Sequence, residues 1–392
     1  MPLHVTLLAA SPTGCSNLSR LLSFSPIFSD RRNPELDPRL LAEHAEWLIA
    51  LSGCAQGPVP QALMAGRTDE AARLATQYRE WFGEGNFYLE LQQNLVRGDT
   101  QRIKRLAALG RELGIPLVAT NNAHYHVKDR HRLQDCLVAI RHRTTLDASH
   151  RERRANGEFY LKSAEQMGWL FRDLPEATRN TLAIADRCAF DLTRDLTYRF
   201  PDYPVPAGHT PATYLEHLCR EAARRRYGRI DERVEARLRE EMRLVEKHNL
   251  AGLLLIYHEI IQIAREVQVD LGLVDPELPL EEAPPGRGRG SSVAMLVGYL
   301  LGISHIDPLL YDLKLDRFLP EELATVPDID LDFPRNIREE LIKRVHERWG
   351  WNHAALTGAF STYKVRGAVR DLGMVLNLPD DQLDKLAKQT GG

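Results

Sequence analysis

At 392 residues, with 43% hydrophobic and 27% charged side chains, the chain has the composition of a globular protein and the length for two or three domains. A net charge of −3 excludes a nucleic-acid signal carried by composition as a whole, so any such signal has to be local. No apolar run is long enough to span a bilayer, and the opening MPLHVTLLAASPTG lacks the basic and long apolar regions of a signal peptide. The scattered cysteines (Cys15, Cys54, Cys136, Cys188 and Cys219) form no CxxC, which argues against a disulfide framework or zinc ribbon and points to a reducing cytoplasm.

In chain order, LHVTLLAA, WLIALSGC, FYLELQ and IPLVATNNAHY read as strands, with DEAARLATQYREWFG and RGDTQRIKRLAALGRELG as amphipathic helices between them. Strand–helix alternation up to about residue 195 predicts an α/β layer or barrel with a mostly parallel sheet. RFPDYPVPAGHTP, with four prolines, reads as a linker or domain boundary. ATYLEHLCREAARRRYG and the run from Asp231 to Val267 have helical periodicity, and DLGLVDPELPLEEAPPG reads as an exposed acidic loop. The chain starts almost directly in a strand and stops just after the helix-like DDQLDKLAKQ, so both ends read as cut.

Two motifs carry chemistry. In PPGRGRGSSVAMLVGYLLG, Gly286, Gly288 and Gly290 alternate with Arg287 and Arg289, and Ser291 and Ser292 stand before an apolar helical run from Val293 to Leu301. A Gly-rich loop feeding a Ser-capped helix offers free backbone N–H groups and a positive helix end, and arginine adds bidentate phosphate contacts. The plainer alternative is a flexible turn with an ordinary cap. The spacing fits neither a Walker A loop nor G-x-G-x-x-G.

In VPDIDLDF, period-two alternation puts Ile329, Leu331 and Phe333 on one strand face and Asp328, Asp330 and Asp332 on the other. Like charges stacked on one face repel, so a bare solvated face is disfavoured. A calcium loop of the EF-hand type fails because Phe333 stands where the sharp turn needs Gly. A two-metal site for phosphoryl or nucleotidyl transfer remains, with metal as the positive partner. Together the motifs have the logic of a nucleotidyltransferase palm, and Arg317 in KLDRFLP is a further candidate for triphosphate charge.

GRGSS, LVGYLLGISHIDPLLYDLKLDRFLPEE and VPDIDLDF closely resemble the palm of the bacterial C-family DNA polymerases, the alpha subunits of DNA polymerase III and their error-prone relatives. LTGAFSTYKVRGAVRDLGMVLNLP is similar to the opening of that family's thumb; NTLAIADRC, FPDYPVP and YLEHL resemble the segment joining its PHP domain to the palm. The resemblance implies an α/β protein: an incomplete PHP barrel-like domain over 1–197, a nucleotidyltransferase-type palm over 198–359 and the start of a helical thumb over 360–392. It also implies DNA-templated DNA synthesis with two Mg²⁺ ions, for which Mn²⁺ can substitute. Asp328 and Asp330 match catalytic metal ligands; Arg289, Gly290, Ser291 and Arg317 match positions at the incoming deoxynucleoside triphosphate. Asp332 either supports the metals or pairs with a nearby arginine. Implied partners are primer–template DNA, dNTP and other replisome or translesion polymerase subunits.

The family's third catalytic carboxylate lies beyond the thumb, so this stretch by itself is expected to be nearly inactive. An H-x-H strand should precede its start. His4, Cys54 and His124 are candidate survivors of the PHP metal positions, but Asn122 stands where metal-binding members carry Asp, and an amide is a poor cation ligand. From Arg335 to Arg370 basic residues outnumber acidic ones, and Lys364, Arg366 and Arg370 read as contacts for the DNA backbone. Two other readings are a non-catalytic DNA-binding fragment and a PHP-type metal-dependent phosphoesterase.

Overall fold

The computed structural model describes residues 4–28, 36–195, 200–315, 318–323, 327–350, 353–359 and 362–389. It forms two compact units, one from Met1–Leu196 with Ser361–Gly392, the other from Thr197–Phe360.

The first unit is built on a sheet ordered β1-β2-β3-β4. Strand β1 (Thr6–Ala9) runs antiparallel to β2 (Leu48–Leu51), while β2, β3 (Phe87–Gln92) and β4 (Leu117–Thr120) are parallel. Helices α1 (Pro12–Phe28) and α2 (Pro38–Glu43) lie between β1 and β2; α3 (Pro58–Met64) and α4 (Thr68–Phe82) connect β2 to β3; α5 (Asp99–Leu113) connects β3 to β4. Parallel strands need such crossovers, and the crossovers cover the sheet, so every residue of β2 and β3 is buried. Leu48, Ala50, Phe87, Leu89 and Leu91 fill one core, and the alternate residues Ile49, Leu51 and Tyr88 form another with Val118 and Ile184. Helices α6 (His131–Arg141), α7 (Ala164–Leu170) and α8 (Pro175–Arg187) follow, and α8 packs on β4.

The strand expected over 115–125 stops at Thr120, because Asn122 turns into the left-handed region at φ 47°. Helix α5 ends where expected: Gly114 adopts φ 68° and returns its N–H to the Gly110 carbonyl.

The second unit opens with α9 (Pro211–Tyr227), started by a Thr210/Thr213 capping box, then α10 (Glu232–Lys247), capped by Asp231, and α11 (Ala251–Asp270). The continuous period over 231–267 is broken between α10 and α11, where Asn249 takes φ 53° and the Leu250 N–H closes on the Val245 carbonyl at 2.9 Å. Strand β5 (Arg287–Arg289), α12 (Leu296–Leu300), β6 (Asp330–Asp332) and α13 (Arg338–Trp349) complete the unit. Its core joins Leu215, Leu238, Leu254, Leu255, Leu296 and Ile303.

Helices α14 (Val365–Val375) and α15 (Asp380–Gln389), the expected start of the thumb, pack on each other and belong to the first unit, where the Leu146 N–H bonds to the Val375 carbonyl at 2.9 Å. The proline-rich stretch expected to be a linker or domain boundary follows directly on the division between the two units, and it is packed rather than loose. Phe200, Tyr203 and Val205 lie on the second core, and burial together with Glu259 pushes the Tyr203 phenol up to about 12. Gly252 lets this stretch approach α11, since a Cβ there would lie 2.6 Å from the Pro201 carbonyl oxygen.

Gly252→Ala is therefore expected to destabilise the protein by about 1–3 kcal/mol through overpacking against backbone. Gly168→Ala, where a Cβ meets nothing within 4 Å, should be neutral or stabilise by about 0.5–1 kcal/mol. Urea unfolding of the two variants, followed by circular dichroism, tests the contrast.

Candidate active site

The two candidate motifs meet in one antiparallel ribbon. Arg289 pairs with Asp330, Gly288 with Leu331 and Arg287 with Asp332. Directly opposed residues share a face, so both arginines stand on the aspartate side. On the other side, Ile329 is buried in the core, with Leu331 and Phe333 half-buried against it. The division into an apolar and an acidic side agrees with the sequence reading, but β6 covers only Asp330–Asp332, and Asp328 lies before it.

The carboxylates are not equivalent. Asp332 is half-buried and takes both guanidinium groups, with Arg289 Nε at 2.9 Å and Arg287 Nε at 3.7 Å. Of the two roles the sequence left open for Asp332, a support for the metals or a partner for a nearby arginine, the ion pairs agree with the second. Asp328 and Asp330 are exposed and form no ion pair among the described residues. They are the open pair.

Each glycine of GRGRG has its own reason. A Cβ on Gly286 would fall 2.6 Å from the Asp332 carbonyl oxygen and from the Phe333 ring. One on Gly288 would fall 2.8 Å from the Ile303 carbonyl oxygen, which the Gly288 N–H already meets at 2.6 Å. Gly290 turns the chain at φ 74°.

The loop expected to present free N–H groups is therefore partly a strand, and the Gly288 donor is spent. The helix expected from Val293 to Leu301 with a serine cap is also revised. Gly290–Ala294 is a 3₁₀ turn, in which Ser292 Oγ donates to the Arg289 carbonyl at 2.8 Å, and α12 begins only at Leu296 after Met295. The first N–H groups of α12, from Leu296 and Val297, are taken by the buried Glu241 carboxylate at 2.8 and 2.9 Å. What stays open to an anion is Gly290, Ser291 and the outward guanidinium groups, all exposed. Arg317 lies outside the described residues.

In the first unit, His4 Nδ1 lies 3.5 Å from Cys54 Sγ, which also accepts from the Gln56 N–H. His124 packs edge-on against Phe159, and its pKa is lowered by burial and by Arg154. No group of three or more His, Cys, Asp or Glu able to hold a metal occurs among the described residues. Sequence reasoning missed Glu90. This buried β3 carboxylate is held by Thr120 Oγ1 at 2.5 Å and Gln92 Nε2 at 2.8 Å on Oε1, with Thr6 Oγ1 at 3.5 Å from Oε2. The signal was an acid inside the apolar run FYLELQ.

Of the basic residues from 335 onward, Arg344 is tied to Glu340 and Asp270, Arg348 to Glu259, and Arg370 to Asp384. Lys364 and Arg366 are exposed at the start of α14 and form no ion pair among the described residues. Several of the basic residues read as DNA-backbone contacts are thus already held by carboxylates. All described cysteines are free, and no described helix is long and apolar enough to cross a membrane.

Comparison with known proteins agrees with this architecture. Residues 213–392 match the model described as Bacterial DNA polymerase III alpha NTPase domain, and residues 1–94 match the PHP domain model. The error-prone DNA polymerase of Symbiobacterium thermophilum is 36% identical over 402 residues, covering 98% of this chain and 36% of that protein. The DNA polymerase III alpha subunits of Treponema pallidum and Bacillus subtilis are 34% and 32% identical, each over 98% of this chain and 32% of the relative. Fold and matches define an α/β chain that joins a PHP domain to a nucleotidyltransferase-type domain. It belongs to the family of bacterial DNA polymerase III alpha subunits and their error-prone relatives, and spans about a third of the length of the relatives it matches.

The unequal carboxylates give opposite signs. In chelator at low salt, Asp332→Asn should lower the thermal midpoint by an amount matching about 0–1 kcal/mol, the usual worth of exposed pairs. Asp330→Asn, which removes an unpaired charge beside two others, should leave the midpoint unchanged or raise it. Parallel melting curves decide.

Proposed function

We propose that this chain contributes the nucleotide- and metal-binding part of a DNA-templated DNA polymerase. The reading rests on one observation: two exposed carboxylates with no ion pair among the described residues, Asp330 in β6 and Asp328 two residues before it, next to arginines that a third carboxylate, Asp332, holds in place. Hard oxygen donors of this kind suit Mg²⁺, which takes one or two carboxylates and completes its shell with water and phosphate oxygens. Asp328 and Asp330 would hold the two ions, which in this chemistry stabilise the attacking and leaving oxygens of nucleotidyl transfer. Arg289 offers N–H donors to the triphosphate, and Asp332 fixes the direction of that guanidinium. Gly290 leaves the backbone open at the turn, and Ser291 adds a hydroxyl. Arg317 completes the triphosphate set, and Lys364 and Arg366 hold the primer–template backbone.

The residues divide as 1–197 for the PHP part, 198–359 for the palm and 360–392 for the start of the thumb. A PHP-type phosphoesterase is the weaker reading, because Asn122 stands where metal-binding members carry Asp and an amide is a poor cation ligand. A purely DNA-binding role leaves the open carboxylate pair without a purpose.

Ligands that bind only the folded state raise its stability by RT ln(1 + [L]/Kd), so saturating Mg²⁺ or Mn²⁺ should raise the thermal midpoint of the wild type. Asp328→Asn and Asp330→Asn should lose most of that rise and Asp332→Asn should keep it; equal metal responses in all the variants would refute the assignment.

Arg289→Ala should weaken dNTP binding, measured by calorimetry with metal present, by an amount matching about 1.5–3 kcal/mol for a lost charge-assisted contact. Unchanged affinity would reduce the motif to a turn.

A further inference from the structure

The α12 N-terminus, unavailable to phosphate, points to a positioning device beneath the loop. Glu241 sits mid-way along α10 and is fully buried. Its Oε1 accepts from the Leu296 N–H at 2.8 Å and from Arg237 Nε at 2.7 Å; its Oε2 accepts from the Val297 N–H at 2.9 Å. Arg237 in turn donates through Nη2 to the Ala294 carbonyl at 2.8 Å and the Leu313 carbonyl at 3.3 Å.

A buried ion pair is a poor source of stability, since apolar residues of similar volume do as well or better; its best-attested use is to enforce one arrangement. Here the arrangement is specific. The pair clamps the chain three residues after Ser291, at Ala294, and four residues before Arg317, at Leu313. The first of these lies in the turn that carries the proposed triphosphate contacts of Gly290 and Ser291. A 3₁₀ turn of five residues has little stiffness of its own. The rigid 16-residue α10 supplies it from below.

We propose that Glu241 and Arg237 are positioning residues that hold the Gly290–Ser291 turn in place against the chain at Leu313, and so tune triphosphate affinity without touching nucleotide. This rests on the reading of that turn as a triphosphate site. Glu241→Gln preserves shape but replaces an accepting oxygen with an N–H₂ group that faces an N–H donor. Arg237→Lys keeps the charge but loses the fork that reaches carboxylate and carbonyls together.

The test measures both variants beside the wild type by hydrogen exchange of peptides covering 290–300 and by calorimetry with dATP and with inorganic triphosphate, in Mg²⁺. Expected are exchange about tenfold faster in that peptide, with peptides of the first unit unchanged, and binding of both ligands about tenfold weaker. Combined with Arg289→Ala, Glu241→Gln should add less than its single effect, because both act through one loop. Unchanged exchange in 290–300, or fully additive losses of affinity, overturns the clamp. If Glu241→Gln fails to fold, Arg237→Lys carries the same comparison. A wild type that binds neither ligand defeats the triphosphate reading instead, while the exchange comparison still decides whether the pair holds the loop.

Discussion

Electrostatic repulsion on one face of a short ribbon is the constraint around which the second unit is arranged. Carboxylates two residues apart on a strand stand about 7 Å apart, which costs about 0.6–2.4 kcal/mol per pair depending on solvent access. Exposed ion pairs return about 0–1 kcal/mol each. The arginines across the ribbon can therefore offset the charge of Asp332, which both of them reach, but not those of Asp328 and Asp330 as well. The face is left with an anionic end beside a cationic one. Such an end has most to gain from a divalent cation, and the cationic end from phosphate.

The backbone beneath serves that face. Gly286 and Gly288 let the ribbon press against Phe333 and the Ile303 carbonyl, so the polar side is supported by close packing with no room for a side chain. Glu241 and Arg237 secure the chain just beyond the turn from inside the core. Burial pushes the Glu241 carboxyl up, while the Leu296 and Val297 N–H groups and Arg237 oppose the shift. A polar network this deep is tolerable only because every one of those groups has a partner.

The first unit resolves its own buried charge differently. Glu90 lies in a strand buried along its whole length, and Thr120, Gln92 and Thr6 meet its oxygens with neutral donors. Arg102 and Asp99 form a second buried pair, with Asp99 accepting the Asn94 and Val96 N–H groups in the turn before α5. Hydrogen bonding within the chain does there what a cation is proposed to do at the ribbon.

Much of this was legible in the residue order. Period-two alternation around Asp328–Phe333 gave the apolar and acidic sides, because side-chain direction is a local property, although the strand itself covers only Asp330–Asp332. Strand–helix alternation announced a mostly parallel sheet, and Gly114 ended α5 where expected, since a left-handed residue stops a helix whatever surrounds it. Three things needed tertiary structure. Asn249 split a seamless helical period, because periodicity reports which face is apolar and not whether the axis continues. The serine cap failed because Glu241, some fifty residues upstream, already fills the helix end it would have served. The division of labour among the aspartates was invisible for the same reason: which of three like carboxylates meets an arginine depends on cross-strand register, a long-range fact that no local pattern encodes.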